Sequence, residues 1–323
     1  MILNTFAAMT LGLVLNMMVG KPQFFVSVEQ TMTSVAGKIK KFLANRYEDT
    51  PEAHSAAGKT MLVLVILLFT GITLLLLVLF YIFIPVVGII FEAIVLWFCL
   101  DIKTTRLSAY GIMRCVRAGN IEGAQKRLSK FTGVDCSEMS RDEVIKTTVE
   151  KISDRCTTGG FSPLVYITVF GGAGAMFYKT VCVLHHEMTV NSEEYADYDA
   201  GVKSLWGILS IIPAKIGALM LKLDVKILSL DKNNANRIYK HDSRNASPQF
   251  LGQARSVIAG SLGIRLNVEE YYDGMIMRNR VIGTELKKCE PMDIYWANQL
   301  LYGSTFAMYL LCSAVRIILH FIF

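Results

Sequence analysis

The sequence predicts an all-α polytopic membrane protein, with about six transmembrane helices joined by helical cytoplasmic segments. Three observations carry that reading. Hydrophobic residues make up 53% of the 323 and charged residues only 19%, against about 25% charged in an ordinary soluble domain; mean hydropathy is +0.41. The apolar residues come in runs long enough for a bilayer core, which takes about 20 residues at 1.5 Å rise each. Finally, 29 of the 33 Lys and Arg fall in three segments that alternate with those runs. This composition excludes a disordered tail protein and disfavours a cytosolic enzyme. The seven cysteines form no CxxC pair, which argues against a zinc ribbon or a thioredoxin-type motif. The partner is a lipid bilayer; no feature points to nucleic acid, and an oligomer is left open.

The first span is 2–19. No basic residue precedes it and Lys21 follows it, so it reads as a retained helix and not a signal peptide. Met61 to Leu100 holds a single charge, Glu92, in 40 residues. As helix that is about 60 Å, twice a bilayer. Pro85 divides it into a hairpin of spans 60–84 and 86–102. The fourth span is 161–184, the fifth 202–221 and the sixth 304–323, the last continuing a helix from near Pro291, which suits a first turn. Segments 20–59, 103–160 and 222–303 carry six, eleven and twelve basic residues. Segment 185–201 carries none, but has Glu187, Glu193, Glu194, Asp197 and Asp199. The positive-inside rule then puts the three basic segments in the cytoplasm and both termini outside, in the plasma membrane. Residues 1–323 form one membrane-embedded domain. In 103–160 the apolar spacing is helical; Ser140 and Glu143 make a capping box, with Met139 and Val144 as its staple. Segment 222–303 has mixed polarity and glycines at 260, 263, 274 and 283. No internal repeat is evident, which disfavours an inverted-repeat transporter.

Several residues stand out chemically. Glu92 lies at membrane depth, where a carboxylate faces a cavity or a partner and often marks function; a packing hydrogen bond made by the protonated acid is the plainer alternative. Lys179 and Lys215 are the other deep charges, and each is placed to snorkel or to meet a ligand. Arg316 reads as snorkelling. His185 and His186 are adjacent, so they point about 100° apart and make a poor chelate. Ala53, Gly58, Lys59 and Thr60 match a loosened P-loop, but no strand precedes them, so the match reads as chance. Gly171, Gly172 and Gly174 suit close helix packing. The sequon at Asn245 falls on the expected cytoplasmic side and is discounted.

From about Leu15 to Gly283 the chain resembles the CobD/CbiB family, the adenosylcobinamide-phosphate synthases of cobalamin biosynthesis. The opening Leu15-Asn16-Met17-Met18-Val19-Gly20-Lys21-Pro22 is similar to the family's, which has aspartates where Asn16 and Lys21 stand. Pro85, Gly88 and Glu92 fall at the family's own Pro, Gly and membrane Glu. Gly133 and Asp135 match a Gly-Arg-Asp-Thr turn. Val149-Glu150 begins a hallmark that runs to Pro163-Leu164. Gly171-Gly172, Tyr178-Lys179, Pro213-Ala214-Lys215, Ser247-Pro248, Ala259-Gly260-Ser261-Leu262-Gly263 and Val281-Ile282-Gly283 complete the series. Order and spacing together make the resemblance.

The resemblance implies an ATP-dependent acid–amine ligase. It would join a cobyric acid propionate to aminopropanol or its phosphate as an amide, with ATP and Mg²⁺ as cofactors, a corrinoid as substrate and other cobalamin-pathway proteins as partners. It implies catalytic roles for Glu92, Glu150 and Asp154, and substrate contacts from Asp135, Tyr178, Lys179, Lys215 and Ser247; no metal ligand set is assigned. The chain also departs from the pattern. The family's Glu-Asn reads Asp154-Arg155 and its Asp-Gly reads Thr158-Gly159. An Asn and an Asp are Cys182 and His185, and an acidic pair falls at Trp206 and Gly207; an early His-rich stretch reads Val26-Ser27-Val28. Each change removes a hard ligand, so the alternative is a lapsed paralogue that binds or assembles without catalysing ligation. A fourth span that crosses fully would carry its far-end family positions away from ATP, so that span is expected to be broken or re-entrant. Glu92, Glu150 and Asp154 are expected to share one cytoplasmic cavity, with Arg155 weakening Asp154 as a cation ligand.

Overall fold

The computed structural model describes residues 2–44, 46–47, 50–192, 195, 197–272 and 275–322. Glu193 and Glu194 of the acidic segment lie outside the described residues, as do Asp273 and Gly274. The chain divides into two compact units: a first of 1–101, 162–209 and 311–323, and a second of 102–161 and 210–310.

In the first unit, α1 (Ile2–Val19) and α2 (Gln23–Ala44) meet at a 108° bend. Gly20 takes φ 80° there, and Pro22 has no N–H to continue the first helix. Asn16 is fully buried at this corner and donates to Leu100 O at 2.8 Å, while Trp97 Nε1 donates to Gly20 O. Helix α3 (Pro51–Phe83) starts nine residues before the expected span, because Thr50 caps it and Pro51 occupies its first turn. It ends at Phe83, with Ile84 as its cap, and Pro85 opens α4 (Pro85–Cys99), so the break falls at the expected proline. Leu67, Leu75, Ile82 and Phe83 of α3 are all more than half exposed, the outward apolar face of a helix in lipid. The loosened P-loop residues lie inside α3 and form no loop; a Cβ at Gly58 would fall 2.2 Å from Tyr198 O, so that glycine serves close packing.

Helix α8 (Ser162–Val190) is broken at Gly171, with φ 67° and ψ −166°. Side-chain-bearing residues avoid this region, so the expected interruption of the fourth span sits on a glycine.

In the second unit, α5 (Ile102–Arg117), α6 (Ile121–Thr132) and α7 (Arg141–Arg155) pack together, with the Ser140–Glu143 capping box formed in both directions. A π-helical turn, Cys156–Phe161, follows α7. Helices α10 (Lys232–Asp242) and α11 (Leu251–Leu262) pair, and β1 (Leu266–Tyr272) and β2 (Met275–Ile282) form an antiparallel hairpin. The sequence reading placed no strands here. Asp273-Gly274 between two strand-forming runs is the signal that it passed over.

The remaining helices are α9 (Ala200–Ile227) and α12 (Pro291–Ile322), the latter opened by Pro291 as expected. Among the described residues, five helical stretches are long and apolar enough to cross a membrane, or six if the bent α1–α2 pair is one span. The expected first span thus belongs to a bent pair.

Candidate functional site

Glu92 is 2% exposed and fully engaged by neutral donors. The Gly172 N–H donates to its Oε1 at 2.8 Å, Thr5 Oγ1 reaches the same oxygen at 3.4 Å, and the Tyr81 hydroxyl donates to Oε2. The carboxylate thereby takes up an N–H at the restart of the broken α8. A Cβ at Gly172 would fall 3.0 Å from Glu92 Cγ. Arg316 was expected to snorkel. It instead donates to Ile167 O at 2.9 Å, four residues before the break.

Lys179 was expected to snorkel or meet a ligand. It is buried, with Nζ 2.9 Å from Glu29 Oε1 and 3.0 Å from Asp101 Oδ2. Lys21 bonds the same two acids, reaching Asp101 Oδ1 at 3.2 Å. Two ammoniums and two carboxylates thus form a crossed quartet beside the Phe98 ring, whose centroid lies 5.8 Å from Lys21 Nζ and 5.5 Å from Lys179 Nζ. Asp101 and Glu29 were missed in the sequence, because each looked like a loop or segment charge. Tyr178 is fully buried and stacks on Tyr166 at 5.1 Å. His185 stacks on Trp206 with centroids 3.7 Å apart.

The second unit holds Glu150 and Asp154, one helical turn apart on α7 and therefore on one face. Arg255 of α11 bridges them. Its Nε and Nη2 fork onto Asp154 at 2.7 and 2.8 Å, and Nη1 bonds Glu150. The guanidinium side chain is 8% exposed. Burial alone would lower its pKa; the charges of Asp154 and Glu150 more than offset this and hold it above the ordinary arginine value. The guanidinium bonded to both Asp154 oxygens is thus Arg255, 101 residues away, whereas Arg155 was the expected one.

Asp135 is exposed and closes its own turn, accepting from Ser137 N and Oγ, each at 3.0 Å. Ser247 is exposed. Lys215 is exposed on α9 and lines a cavity of about 550 Å³ with residues of α10 and α11. Asp224, also on α9, is a buried acid that the sequence reading passed over; it fits against Gly303, where a Cβ would fall 2.3 Å from its oxygens. Glu92, Tyr178 and Lys179 belong to the first unit, and Asp135, Glu150, Asp154, Lys215 and Ser247 to the second.

A model of the CobD/Cbib protein family matches residues 9–301. The chain belongs to the CobD/Cbib family. It is 28% identical over 238 residues to the cobalamin biosynthesis protein CobD of Clostridium perfringens, covering 74% of this chain and 76% of that one. The CobD of Desulfotalea psychrophila aligns over 96% of this chain and 97% of its own length at 24% identity. The CobD of Geobacter metallireducens covers 73% and 74% at 26% identity. No solved structure matches the chain.

Set on this framework, the departures from the CobD/Cbib pattern carry structure. Lys21, at a position where the resemblance expects an aspartate, is one cation of the quartet. His185 and Trp206, at two further expected acids, form the aromatic stack. Mg²⁺ takes six oxygen ligands, of which one or two are protein carboxylates and the rest waters and substrate phosphates. Among the described residues, no three His, Cys, Asp or Glu side chains are placed to hold a metal. Glu29, Asp101, Glu150 and Asp154 each already bind a protein cation. A Mg²⁺ ion at any of these four acids would have to displace a protein cation.

Proposed function

We propose that this CobD/Cbib member acts in cobalamin biosynthesis, binding a corrinoid at the step where a cobyric acid propionate is joined to aminopropanol or its phosphate. We further propose that its carboxylates no longer support the metal-dependent, ATP-driven ligation that the family resemblance implies. One observation supports this most strongly: Arg255 sits in the crook of Glu150 and Asp154, the two hallmark acids that the resemblance retains. Amide formation needs an activated carboxylate and a base for the amine. Asp154, locked in a forked guanidinium pair, is a poor base and a poor ligand for a cation.

The full chain in detergent, given cobyric acid, aminopropanol phosphate, ATP and Mg²⁺, should bind the corrinoid and form little or no cobinamide phosphate. Turnover at the rate of a family member with all signature acids would overturn this reading. A second reading, a working ligase, is favoured by one feature: burial pushes the Glu150 carboxyl up to about 7 despite Arg255 beside it, which suits a base near neutral pH. That reading requires product formation abolished by Glu150→Gln.

A further inference from the structure

The cavity at Lys215 lies wholly within the second unit, and its charge goes beyond the single substrate contact that the family resemblance implies for Lys215. Three cations converge on it: Lys215 from α9, Lys240 from the end of α10, and Arg244 just beyond. None of the three has an ion-pair partner among the described residues. The carboxylate next in sequence, Asp242, is buried and already committed. Gly283 N donates to its Oδ2 at 2.8 Å, and Asn245 and His241 take its Oδ1. A fourth cation, Lys222, lies one more stretch down α9 with Nζ 3.3 Å from the Tyr239 ring centroid. Uncompensated cations held together repel one another, an arrangement that an anion relieves.

The polar wall of the cavity is braced. The Tyr239 hydroxyl donates to Gln253 Oε1 at 2.8 Å, and Gln253 Nε2 donates to Ser243 O at 3.2 Å. At about 550 Å³ the cavity is within the range of small-molecule sites.

What selects the anion is the surface of α9. Ile211, Ile212, Leu219 and Leu223 are 42%, 64%, 58% and 47% exposed. At 100° per residue they lie within about 80° either side of Lys215. A cationic pocket therefore opens beside an apolar, outward-facing stripe on a helix that is long and apolar enough to span a membrane. A soluble phosphate complements the cations but leaves that stripe unused; an anionic phospholipid complements both.

We infer that this pocket binds the phosphate headgroup of an anionic phospholipid, with the acyl chains lying along α9. The charge pattern places the same segment on the cytoplasmic side, whose leaflet carries the anionic lipids that basic pockets between helices take up. The proposal is independent of whether the chain ligates a corrinoid.

The test uses the full chain, delipidated in detergent and returned to phosphatidylcholine alone or to phosphatidylcholine with phosphatidylglycerol. Bound lipid is read by native mass spectrometry and stability by thermal unfolding. Phosphatidylglycerol should be retained and should raise the unfolding temperature, and phosphatidylcholine should not. Lys215→Gln, Lys240→Gln and Arg244→Gln should each weaken retention by about fivefold, whereas Lys130→Gln, a matched charge loss outside the cavity, should not. Circular dichroism confirms that each variant is folded. Equal retention of the two lipids, or no loss in the triple variant, would overturn the proposal. So would stabilisation by inorganic phosphate alone that displaces the lipid, which would assign the pocket to a soluble phosphoryl compound.

Discussion

The two units solve the same problem differently. Each contains a pair of carboxylates close enough to share a cation, and each fills the space with the protein's own positive charge. In the first unit Glu29 and Asp101 are crossed by Lys21 and Lys179, two ammoniums for two acids. In the second, Glu150 and Asp154 share one forked guanidinium. The quartet balances charge but relies on point contacts from flexible lysines. The trio gains bidentate geometry and sets one cation against two acids. A divalent ion would therefore have to displace two lysines in one unit and a single arginine in the other. If either region retains any affinity for cations, the second unit is the place.

Removing the bridging cation tests that comparison most severely. Lys179→Met should leave a buried, half-compensated acid pair and cost about 3–5 kcal/mol, seen as a large fall in unfolding temperature in detergent. Arg255→Met should cost a similar amount, but with a different rescue. Its two freed acids lie one helical turn apart, so Mn²⁺ should restore stability to this variant and not to Lys179→Met. Equal rescue of both would erase the distinction between the units.

A smaller effect is expected at the α8 break. Gly171→Ala places a Cβ at φ 67°, and within 3.2 Å of Glu92 Oε1. The strain should cost about 1–3 kcal/mol and loosen the Glu92 contacts, readable as faster hydrogen exchange at Gly172. Smallest of all is Asp135→Ala. Its hydrogen bonds are local and exposed, so the change should stay within about 0.5 kcal/mol and leave corrinoid binding intact. A loss of binding there would make Asp135 the substrate contact that the family resemblance implies.

Much of the fold was legible because hydropathy and capping are local. The apolar runs, the break at Pro85, the Ser140–Glu143 capping box and the helix from Pro291 all follow from neighbouring residues. The α1–α2 bend was not read, although Gly20 and Pro22 flank it, because the apolar run alone satisfied the length of a span. The hairpin was missed because its strands are mixed in polarity and Asp273-Gly274 was passed over. The ion pairs were out of reach for another reason. Arg255 meets Asp154 across 101 residues and Lys21 meets Asp101 across 80, and no periodicity reports a contact of that kind. The family pattern marked Lys21, His185 and Trp206 as departures, yet only the structure shows that one departure joins an acid pair and the other two stack on each other.

Glu29, Asp101, Glu150 and Asp154 all hold protein cations, which leaves them poorly placed for a metal. Titrating the full chain in detergent with Mn²⁺, with and without ATP, and counting bound ion by electron paramagnetic resonance tests it directly. The unmodified chain should show no stoichiometric Mn²⁺ site, and Arg255→Met should gain one. One Mn²⁺ per unmodified chain, lost on Glu150→Gln, would contradict it.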